Sequence, residues 1–279
     1  MTKLPLHSRA LIVEGGAMRG IFAAGVLDAF MAARFQPFDI CYGVSAGSTA
    51  LAAYLSHQPG RTYRVITDIS CRPEFIQLGR FLRGGHWLDL DWLWPVSLSE
   101  LPFDMPSFAS NPIPLWIAAT RVRDGQACYF HAQGDEAMTI AKASCSVPIA
   151  YRGFVEIDGE AYTDGGVADS IPVQHAYACG ARHLTIVLSR HWGYRKRPTR
   201  FAWLMRRLLA QYPALCAAML QRHLAYNAAL DFIANPPADC TIELLVPPPE
   251  FAVGRLTQDR QRLDTGYQQG WQAAQRLIA

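Results

Sequence analysis

The fold is decided by residues 38–55, which read FDICYGVSAGSTALAAYL. FDICYGV is a short apolar run that predicts a buried strand, and AGSTALAAYL predicts the helix that follows it. The turn between them carries Gly43-x-Ser45-x-Gly47. Glycines suit such a turn because it is strained and crowded, and the helix directs its first N–H groups at the serine. Ser45 is therefore either a nucleophile or a small residue in a tight turn.

The segment before this stretch repeats the pattern of strand and helix. RALIVEGG, residues 9–16, is a short apolar run that predicts a buried strand ending in glycines. GIFAAGVLDAFMAARF predicts a helix, because Phe22, Val26 and Phe30 recur every four residues. A strand, a helix and a second strand within about 35 residues form a βαβ unit, which implies parallel strands and a right-handed crossover.

The rest of the chain continues the alternation. Further strands are predicted in PLWIAATRV, ACYFHA, GFVEI, AYTD, ARHLTIVLS and CTIELLVP, with turns at Asp124-Gly125 and Asp158-Gly159. Helices are predicted over 135–146, 172–179, 200–232 with a break near Pro213, and 257–277. The segment 71–111 has weak periodicity and three tryptophans, which indicates an insertion or a lid. The predicted class is α/β with a mainly parallel central sheet.

Composition limits the kinds of protein that the chain can be. The chain has 279 residues and 51% hydrophobic residues, which fits one large domain, or one domain with a lid or tail. We expect no signal peptide in residues 1–9 and no membrane span. The seven cysteines are scattered without paired spacing, which is typical of reduced thiols in a cytosolic protein. The sequence therefore predicts a cytoplasmic protein, and no metal or other cofactor is implied.

The net charge of +3 hides an asymmetry. Residues 170–230 contain no Asp or Glu but carry nine basic residues: Arg182, Arg190, Arg195, Lys196, Arg197, Arg200, Arg206, Arg207 and Arg222. Within them, 195–209 combines basic and apolar side chains, as an interfacial helix at anionic lipid headgroups does. The alternative is a helix that packs its apolar side on the sheet. We expect no nucleic-acid partner, because a basic patch alone does not specify a groove reader.

EGGAMRG, residues 14–20, lies where the first strand ends and the first helix begins. Its small residues leave backbone N–H groups uncovered, which predicts a site for a bound phosphate or a transient oxyanion. A Walker loop would need Gly-Lys-Ser/Thr at its end, and a dinucleotide loop would need glycine where Ala17 stands. Arg19 opposes the helix dipole, so it predicts a carboxylate partner, such as Glu14, or an anionic ligand.

A serine hydroxyl needs a base before it can act as a nucleophile. None of the eight histidines has a distinctive setting: His175 falls in a predicted helix and His183 at the start of a predicted strand. Asp164 is followed by Gly165 and Gly166, which let the backbone turn and leave the carboxylate accessible. Asp-Gly turns are common, so this motif gains meaning only in combination with the others.

The combination resembles the patatin-like phospholipase family over about residues 9–190. GGAMRG, GVSAG, ASCSVP (residues 143–148) and Asp-Gly-Gly occur in that family's order and spacing. The resemblance implies a three-layer α/β/α fold, with a catalytic domain over 9–190 and a C-terminal helical extension over 191–279 packed on the same domain.

The resemblance also implies a Ser–Asp dyad. Ser45 would attack an ester carbonyl, and Asp164 would accept its proton directly, without a histidine. The oxyanion would be held by the loop of Gly15, Gly16, Ala17 and Arg19. The family usually has a third glycine where this chain has Ala17, and alanine would be strained there if the loop requires a positive φ.

The function expected from this resemblance is a serine lipid acyl hydrolase that cleaves carboxylic esters of phospholipids or lysophospholipids through an acyl-enzyme on Ser45. Its partner would be a lipid ester, with peripheral membrane contact through 195–209. Two alternatives stay open. One is an esterase, thioesterase or acyltransferase for substrates other than lipids, and the other is a catalytically inactive protein that binds lipids or anions, which only Ala17 favours.

Overall fold

The computed structural model of the chain describes residues 8–278. Its strands are β1 (Ser8–Val13), β2 (Ile40–Val44), β3 (Leu115–Arg121), β4 (Ala127–Ala132), β5 (Val155–Ile157), β6 (Glu160–Asp164), β7 (Ala181–Val187) and β8 (Thr241–Leu245). Its α-helices are α1 (Gly20–Ala32), α2 (Ala46–Leu55), α3 (Arg61–Arg64), α4 (Leu78–Leu82), α5 (Leu90–Glu100), α6 (Met105–Ser110), α7 (Glu136–Cys145), α8 (Val173–Ala178), α9 (Ala202–Leu208), α10 (Pro213–Ala234) and α11 (Arg260–Ile278). A 3₁₀ turn covers Ala17–Arg19 and a short π-helix covers Val65–Ile69.

The strands form one sheet in the order β5-β6-β3-β2-β1-β7-β8, and β4 pairs with β3 outside this order. β1, β2, β3, β7 and β8 are parallel, whereas β4, β5 and β6 pair antiparallel. The mainly parallel sheet predicted from the sequence is therefore confirmed, including the βαβ unit that runs from β1 through α1 to β2.

The register aligns the carboxyl ends of the parallel strands β1, β2 and β7 at the same end of the sheet. Val13 at the end of β1 pairs with Gly43 of β2 and with Val187 at the end of β7. The loops that follow these strands therefore lie side by side, beyond the carboxyl ends of the parallel strands. Ligand sites of open α/β sheets lie in this position.

β6 ends where β2 ends, although the two strands run in opposite directions. β4 pairs with residues 115–120 along one edge of β3, so β2 and β6 must share the other edge. Val44, the last residue of β2, pairs with Ala118, and Asp164, the last residue of β6, pairs with Ala119. The turn after β2 therefore lies beside the end of β6.

Helices cover both faces of the sheet. Leu11 and Val13 of β1 face a core that includes side chains of α1, α2 and α7. Ala10 and Ile12 face a second core with side chains of α8 and α10. Because both faces are covered, residues 10–13 of β1 and residues 40–44 of β2 are buried at every position instead of alternating. This is the three-layer α/β/α arrangement that was expected.

The C-terminal segment packs on this body and extends it. β8 adds a parallel strand beside β7, and α11 lies against α1. The helices approach closely at small residues: a Cβ on Gly270 would lie 2.0 Å from the Phe22 carbonyl oxygen. Residues 20–30 of α1 are all buried, including Asp28, because α11 covers the side that the sheet does not. The division at residue 190 stays a prediction, since strands and helices of both parts share one sheet and one core.

Most predicted elements are found within a few residues of their expected bounds, and the predicted break near Pro213 separates α9 from α10. The segment 71–111 is not strongly periodic because it folds into the short helices α4, α5 and α6, and its apolar side chains form a separate core cluster with Tyr151.

The seven cysteines are free thiols in the described structure. In the described part of the chain, one group of side chains, that of His86, Asp89 and Asp91, brings potential metal ligands together. Arg80 and Lys142 form ion pairs with its two aspartates. Within residues 8–278, no helix is both long enough and apolar enough to cross a bilayer.

Candidate active site

Ser45 lies on a sharp turn between β2 and α2. Its backbone has φ 52° and ψ −130°, a conformation that non-glycine residues rarely adopt. The turn is also crowded, because a Cβ on Gly47 would lie 2.3 Å from the Val13 carbonyl oxygen. Strain of this kind collects at functional sites, where the surrounding structure holds it in place. The strand–turn–helix context that the Gly-x-Ser-x-Gly pattern predicted is therefore confirmed.

Ser144 holds this turn in its conformation. The Ser45 N–H donates to the Ser144 hydroxyl oxygen at 2.7 Å, and that hydroxyl donates to the Ala118 carbonyl oxygen at 2.6 Å. The Ser144 side chain is fully buried, so neither bond can be replaced by water. Ser144 belongs to the ASCSVP stretch, which the sequence linked only to a family resemblance. Its physical role is to join the strained turn to β3.

Asp164 lies beside Ser45, at the end of β6. Asp164 and Ser45 line the same cavity, and the carboxyl lies near enough to the Ser45 hydroxyl for that hydroxyl to lower the carboxyl pKa. Its Oδ1 also accepts from the Gly166 N–H at 2.8 Å. Burial is the largest influence and leaves the pKa of Asp164 above its usual value, although Ser45 and the positive charge of Arg222 oppose the shift. A carboxylate in this setting can take a proton from the serine.

The loop of Gly15, Gly16 and Ala17 lies against the turn of Ser45. A Cβ on Gly15 would lie 2.5 Å from the Val44 carbonyl oxygen, so only glycine allows this approach. In the part of the chain that the structure describes, the N–H groups of these three residues have no intramolecular acceptor. Ala17 has φ 51°, so the strain expected from the sequence is present, while its N–H group remains.

Arg19 does not line the cavities beside Ser45. It is buried, and its Nη2 and Nε donate to the Ser189 hydroxyl oxygen at 3.0 and 3.3 Å. Glu14 accepts from the Ser189 N–H at 2.7 Å. Burial lowers the pKa of Arg19 to about 10, and the nearby charge of Glu14 opposes that shift. Among the described residues Arg19 therefore has no direct carboxylate partner within 4.0 Å; Ser189 lies between it and Glu14, and Arg19 supports the loop from behind.

An apolar cavity opens on one side of Ser45. Its volume is about 1080 Å³, part of which is open to solvent. Much of its wall comes from the segment 71–111, which the sequence indicated as an insertion or a lid. Its apolar lining includes Val65, Ile66, Phe75, Leu88, Leu90, Leu93, Trp94, Leu98, Phe103 and Met138. The cavity can accept the hydrocarbon chain of an acyl group.

A second cavity also opens at Ser45 and contains most of the charged groups. Ser45, Asp164 and the loop of residues 14–17 line it. Three cations line it as well: Lys196, Arg222 and Arg255. Sequence reasoning did not place these cations at the site. Lys196 and Arg222 lie in the segment free of acidic residues, which was the available signal, whereas nothing local marks Arg255.

Histidines lie elsewhere in the described structure, since none lines either cavity next to Ser45. His175 stacks on Tyr129 with 3.5 Å between ring centroids, and burial lowers its pKa to about 4. It is therefore a neutral packing group. Asp164 is the described group beside Ser45 that can act as a base.

A family model of patatin-like phospholipases matches residues 11–177, which is more than half of the chain. The chain belongs to the patatin-like phospholipase family. The match covers Ser45, Asp164 and the glycine loop, and the sequence resemblance is thereby confirmed. A second model, a domain of unknown function (DUF6363), matches residues 212–279, which include Arg222 and Arg255 of the cationic cavity.

A curated relative of this patatin-like protein is the uncharacterized protein YjjU of Escherichia coli (strain K12). It is 35% identical over 243 residues, which cover 86% of this chain and 68% of YjjU. Among solved structures, VipD from Legionella pneumophila has a TM-score of 0.46 at 11% identity, covering 99% of this chain and 67% of VipD. The type III effector protein ExoU has a TM-score of 0.42 at 13% identity, covering 99% of this chain and 53% of ExoU.

Proposed function

We propose that this protein is a serine acyl hydrolase that cleaves carboxylic esters of lipids, with Ser45 as the nucleophile and Asp164 as the base. The observation that carries the proposal is the position of the buried Asp164 carboxyl beside Ser45 in one cavity, next to N–H groups that lack acceptors among the described residues. A serine on a strained turn, a base and unoccupied donors are the parts that acyl transfer requires.

The reaction follows from this arrangement. Ser45 Oγ attacks the carbonyl carbon of the ester while its proton passes to Asp164. The N–H groups of Gly15, Gly16 and Ala17 stabilise the oxyanion of the tetrahedral intermediate, each by about 3 kcal/mol. The C–O bond to the alcohol then breaks, and Asp164 returns the proton to that oxygen. Water repeats the cycle on the acyl-enzyme and releases the carboxylic acid.

The apolar cavity supports a lipid as the source of the ester. It begins at Ser45 and continues along α2 past Thr49 and Ala52 toward the walls formed by α5. Each buried methylene of an acyl chain stabilises the complex by roughly 0.8 kcal/mol, so a long chain binds better than a short one. An esterase for small soluble esters would gain nothing from a cavity of this length.

A fluorophosphonate probe tests the proposed chemistry without assuming a substrate. The probe should form an adduct on Ser45, located by peptide mass spectrometry, and Asp164→Asn should slow its formation by about 10²- to 10⁴-fold. Asp169→Asn is the matched control. Asp169 is another carboxyl whose pKa burial raises, but its oxygens accept from Tyr129 and Ile171 and not from Ser45. An unlabelled Ser45 in the presence of detergent or vesicles would favour the inactive lipid- or anion-binding protein.

We also propose that 195–209 contacts a membrane surface. Met205 and Leu209 of this segment pack on α10, whereas Phe201, Trp203 and Leu208 are 64%, 65% and 50% exposed. Arg206 and Arg207 are exposed next to them, and Met205 also lines the outer cleft where Lys196 and Arg222 lie. Exposed apolar and basic side chains in this combination suit an interface with anionic lipids.

Vesicle binding tests this surface. Leu208→Ser should weaken cosedimentation with vesicles of anionic phospholipid by several-fold, because it removes an apolar side chain that would enter the interface. Leu224→Ser, at a residue of α10 that is 60% exposed, is the matched control and should bind like the unmodified protein. Equal binding by the two variants would contradict the proposed membrane contact.

A further inference from the structure

The cavity that Ser45 shares with Asp164 is lined by more basic than acidic side chains. Lys196, Arg222 and Arg255 all line this cavity, and the same three residues line the adjoining cleft on the outer surface. The cations therefore mark a continuous path from the surface to the nucleophile. They come from the loop after β7, from α10 and from the loop after β8, so all three cations of the path lie beyond residue 190.

None of the three cations has a carboxylate partner within residues 8–278, since no ion pair within 4.0 Å involves them. Arg222 donates from Nη2 to the Gly166 carbonyl oxygen at 2.9 Å, and its Nε is buried without an acceptor. The Lys196 ammonium lies 4.0 Å from the centroid of the Tyr226 ring. These groups therefore keep donors free for a ligand.

The carboxylates of the cavity already have partners. Glu14 accepts from the Ser189 N–H, and Asp164 accepts from the Gly166 N–H and lies against Ser45. Burial and the neighbouring cations, chiefly Arg222, lower the pKa of Lys196 to about 6, so an anion bound beside Lys196 would favour its charged form at neutral pH. Burial and Arg255 likewise lower the pKa of Arg222. An anion placed between these cations would remove the repulsion, whereas a cation would add to it.

We propose that Lys196, Arg222 and Arg255 bind the phosphate of an anionic substrate headgroup and select against zwitterionic headgroups. The proposal rests on the proposed function, because it places the ester of the same substrate at Ser45. Arginine matches the geometry of phosphate oxygens with paired donors, and lysine adds a point charge. A choline headgroup would bring its own cation against the three, and such like-charge contacts are a general means of excluding a ligand. The segment matched by the domain of unknown function would thus contribute two of the groups that select the substrate.

A matched pair of soluble lysolipids tests the proposal. The substrates are 1-octanoyl-glycerol-3-phosphate and 1-octanoyl-glycerol-3-phosphocholine, which share the acyl chain and the ester and differ in the headgroup. We expect kcat/KM of the full chain to favour the phosphate substrate at least tenfold. Arg255→Gln and Lys196→Gln should each reduce this preference about 10- to 100-fold, the loss typical of a charge-assisted hydrogen bond. Arg222 is left intact because its bond to the Gly166 carbonyl supports the Asp164 loop.

Arg276→Gln is the control for the loss of one positive charge. Arg276 is exposed near the end of α11 and lines neither cavity, so the preference should not change. A preference near one in the unmodified protein would overturn the proposal. So would an equal change of preference in Arg255→Gln and Arg276→Gln, because the effect would then come from net charge.

Calorimetry separates this inference from the proposed reaction. Glycerol 3-phosphate should bind to Ser45→Ala, and Arg255→Gln should weaken that binding at least tenfold. If Ser45 is not labelled by fluorophosphonate but this binding is found, the hydrolase proposal fails and the phosphate site stands. If Ser45 is labelled but neither binding nor preference is found, the phosphate site fails alone. Arg255-dependent binding of inorganic phosphate without any lysolipid preference would assign the cations to free phosphate and overturn the headgroup assignment.

Discussion

The two cavities that meet at Ser45 differ in lining and in origin. The apolar cavity is built mainly by residues of 45–103, with a few from 17–18 and 138–147, and uncharged side chains dominate its wall, although Arg61 and Arg255 also line it. The cationic cavity combines the ends of β1, β2 and β6 with Lys196, Arg222 and Arg255. The nucleophile thus lies where an uncharged environment and a positively charged one meet. An amphiphilic ester fits this boundary, because its acyl chain and its polar group can occupy different cavities.

The largest effect should come from Asp164→Asn, which removes the proposed base of Ser45, the residue at which the two cavities meet. Without a base for the Ser45 proton, kcat should fall by about 10²- to 10⁴-fold for every ester. The preference between headgroups should stay the same, because the substitution leaves the three cations in place. The measurement is kcat/KM for both octanoyl lysolipids. A loss confined to one of the two substrates would mean that Asp164 binds a headgroup and is not the general base.

The next effect should come from Thr49→Phe, which changes only the apolar cavity. Thr49 lies one turn after Ser45 on α2 and lines that cavity. In the unmodified protein, kcat/KM for p-nitrophenyl esters should rise roughly fourfold per added methylene until the cavity is filled. The phenyl ring should remove the gain for chains longer than about four carbons.

Thr265→Phe is the control for this substitution. Thr265 is exposed on α11, and its hydroxyl donates to the carbonyl oxygen four residues before it, while that of Thr49 donates to Ala46 three residues before. The dependence on chain length should be unchanged in this variant. An unmodified protein without any gain from longer chains would mean that the acyl group does not enter the apolar cavity.

Acidification should lower kcat/KM by up to tenfold per pH unit, because it protonates the proposed base Asp164. Because its pKa is raised by burial, the acid limb of kcat/KM should lie above the usual value of 3.8.

The stability of the fold should change with pH in the opposite direction to the activity. A carboxyl whose folded-state pKa is raised stabilises the fold below its unfolded value, and this stabilisation is lost as pH rises through the folded pKa. A pH–rate profile with a neutral ester and urea unfolding across the same range measure both, and Asp164→Asn should lack the stability change.

Ser144→Ala should lower the free energy of unfolding by about 1–3 kcal/mol. Ser144 holds the turn at which the two cavities meet. The substitution leaves the Ser45 N–H and the Ala118 carbonyl oxygen buried without partners. Ser146→Ala is the matched control, because the Ser146 hydroxyl is equally buried but donates to Ala143 and does not contact Ser45. Chemical unfolding and the rate of fluorophosphonate labelling are the measurements. If labelling slows equally in both variants, Ser144 has no special role in holding the turn.

The smallest effect is expected from Ala17→Gly. Glycine adopts φ 51° without the strain of about 1–2 kcal/mol that an L-residue carries there, but it loses more backbone entropy on folding. The net gain in the free energy of unfolding should therefore be below about 1 kcal/mol, and the donor N–H is kept. Thermal unfolding and kcat/KM check this. A large rise in activity would mean that Ala17 distorts the oxyanion loop.

Local patterns were sufficient for the parts of the site that lie within one turn of chain. The strand–turn–helix around Ser45 was predictable because apolar periodicity and glycines act over a few residues. The order of the strands required more than local patterns, since β2 and β6 come together only through their pairing with β3. From the sequence, the pairing of Ser45 with Asp164 could be predicted only through the resemblance to a family, because no local pattern links the two residues.

The sequence by itself determined the α/β class, the sharp turn at Ser45 and the uncovered N–H groups of the glycine loop, since short-range sterics and hydrogen bonding decide these features. Only the tertiary structure decided which distant groups join them. Ser144 behind the turn, Ser189 between Glu14 and Arg19, and the cation Arg255 have no local signal, because long-range packing sets their positions. The environment of Lys196 depends in the same way on burial and on neighbours far along the chain.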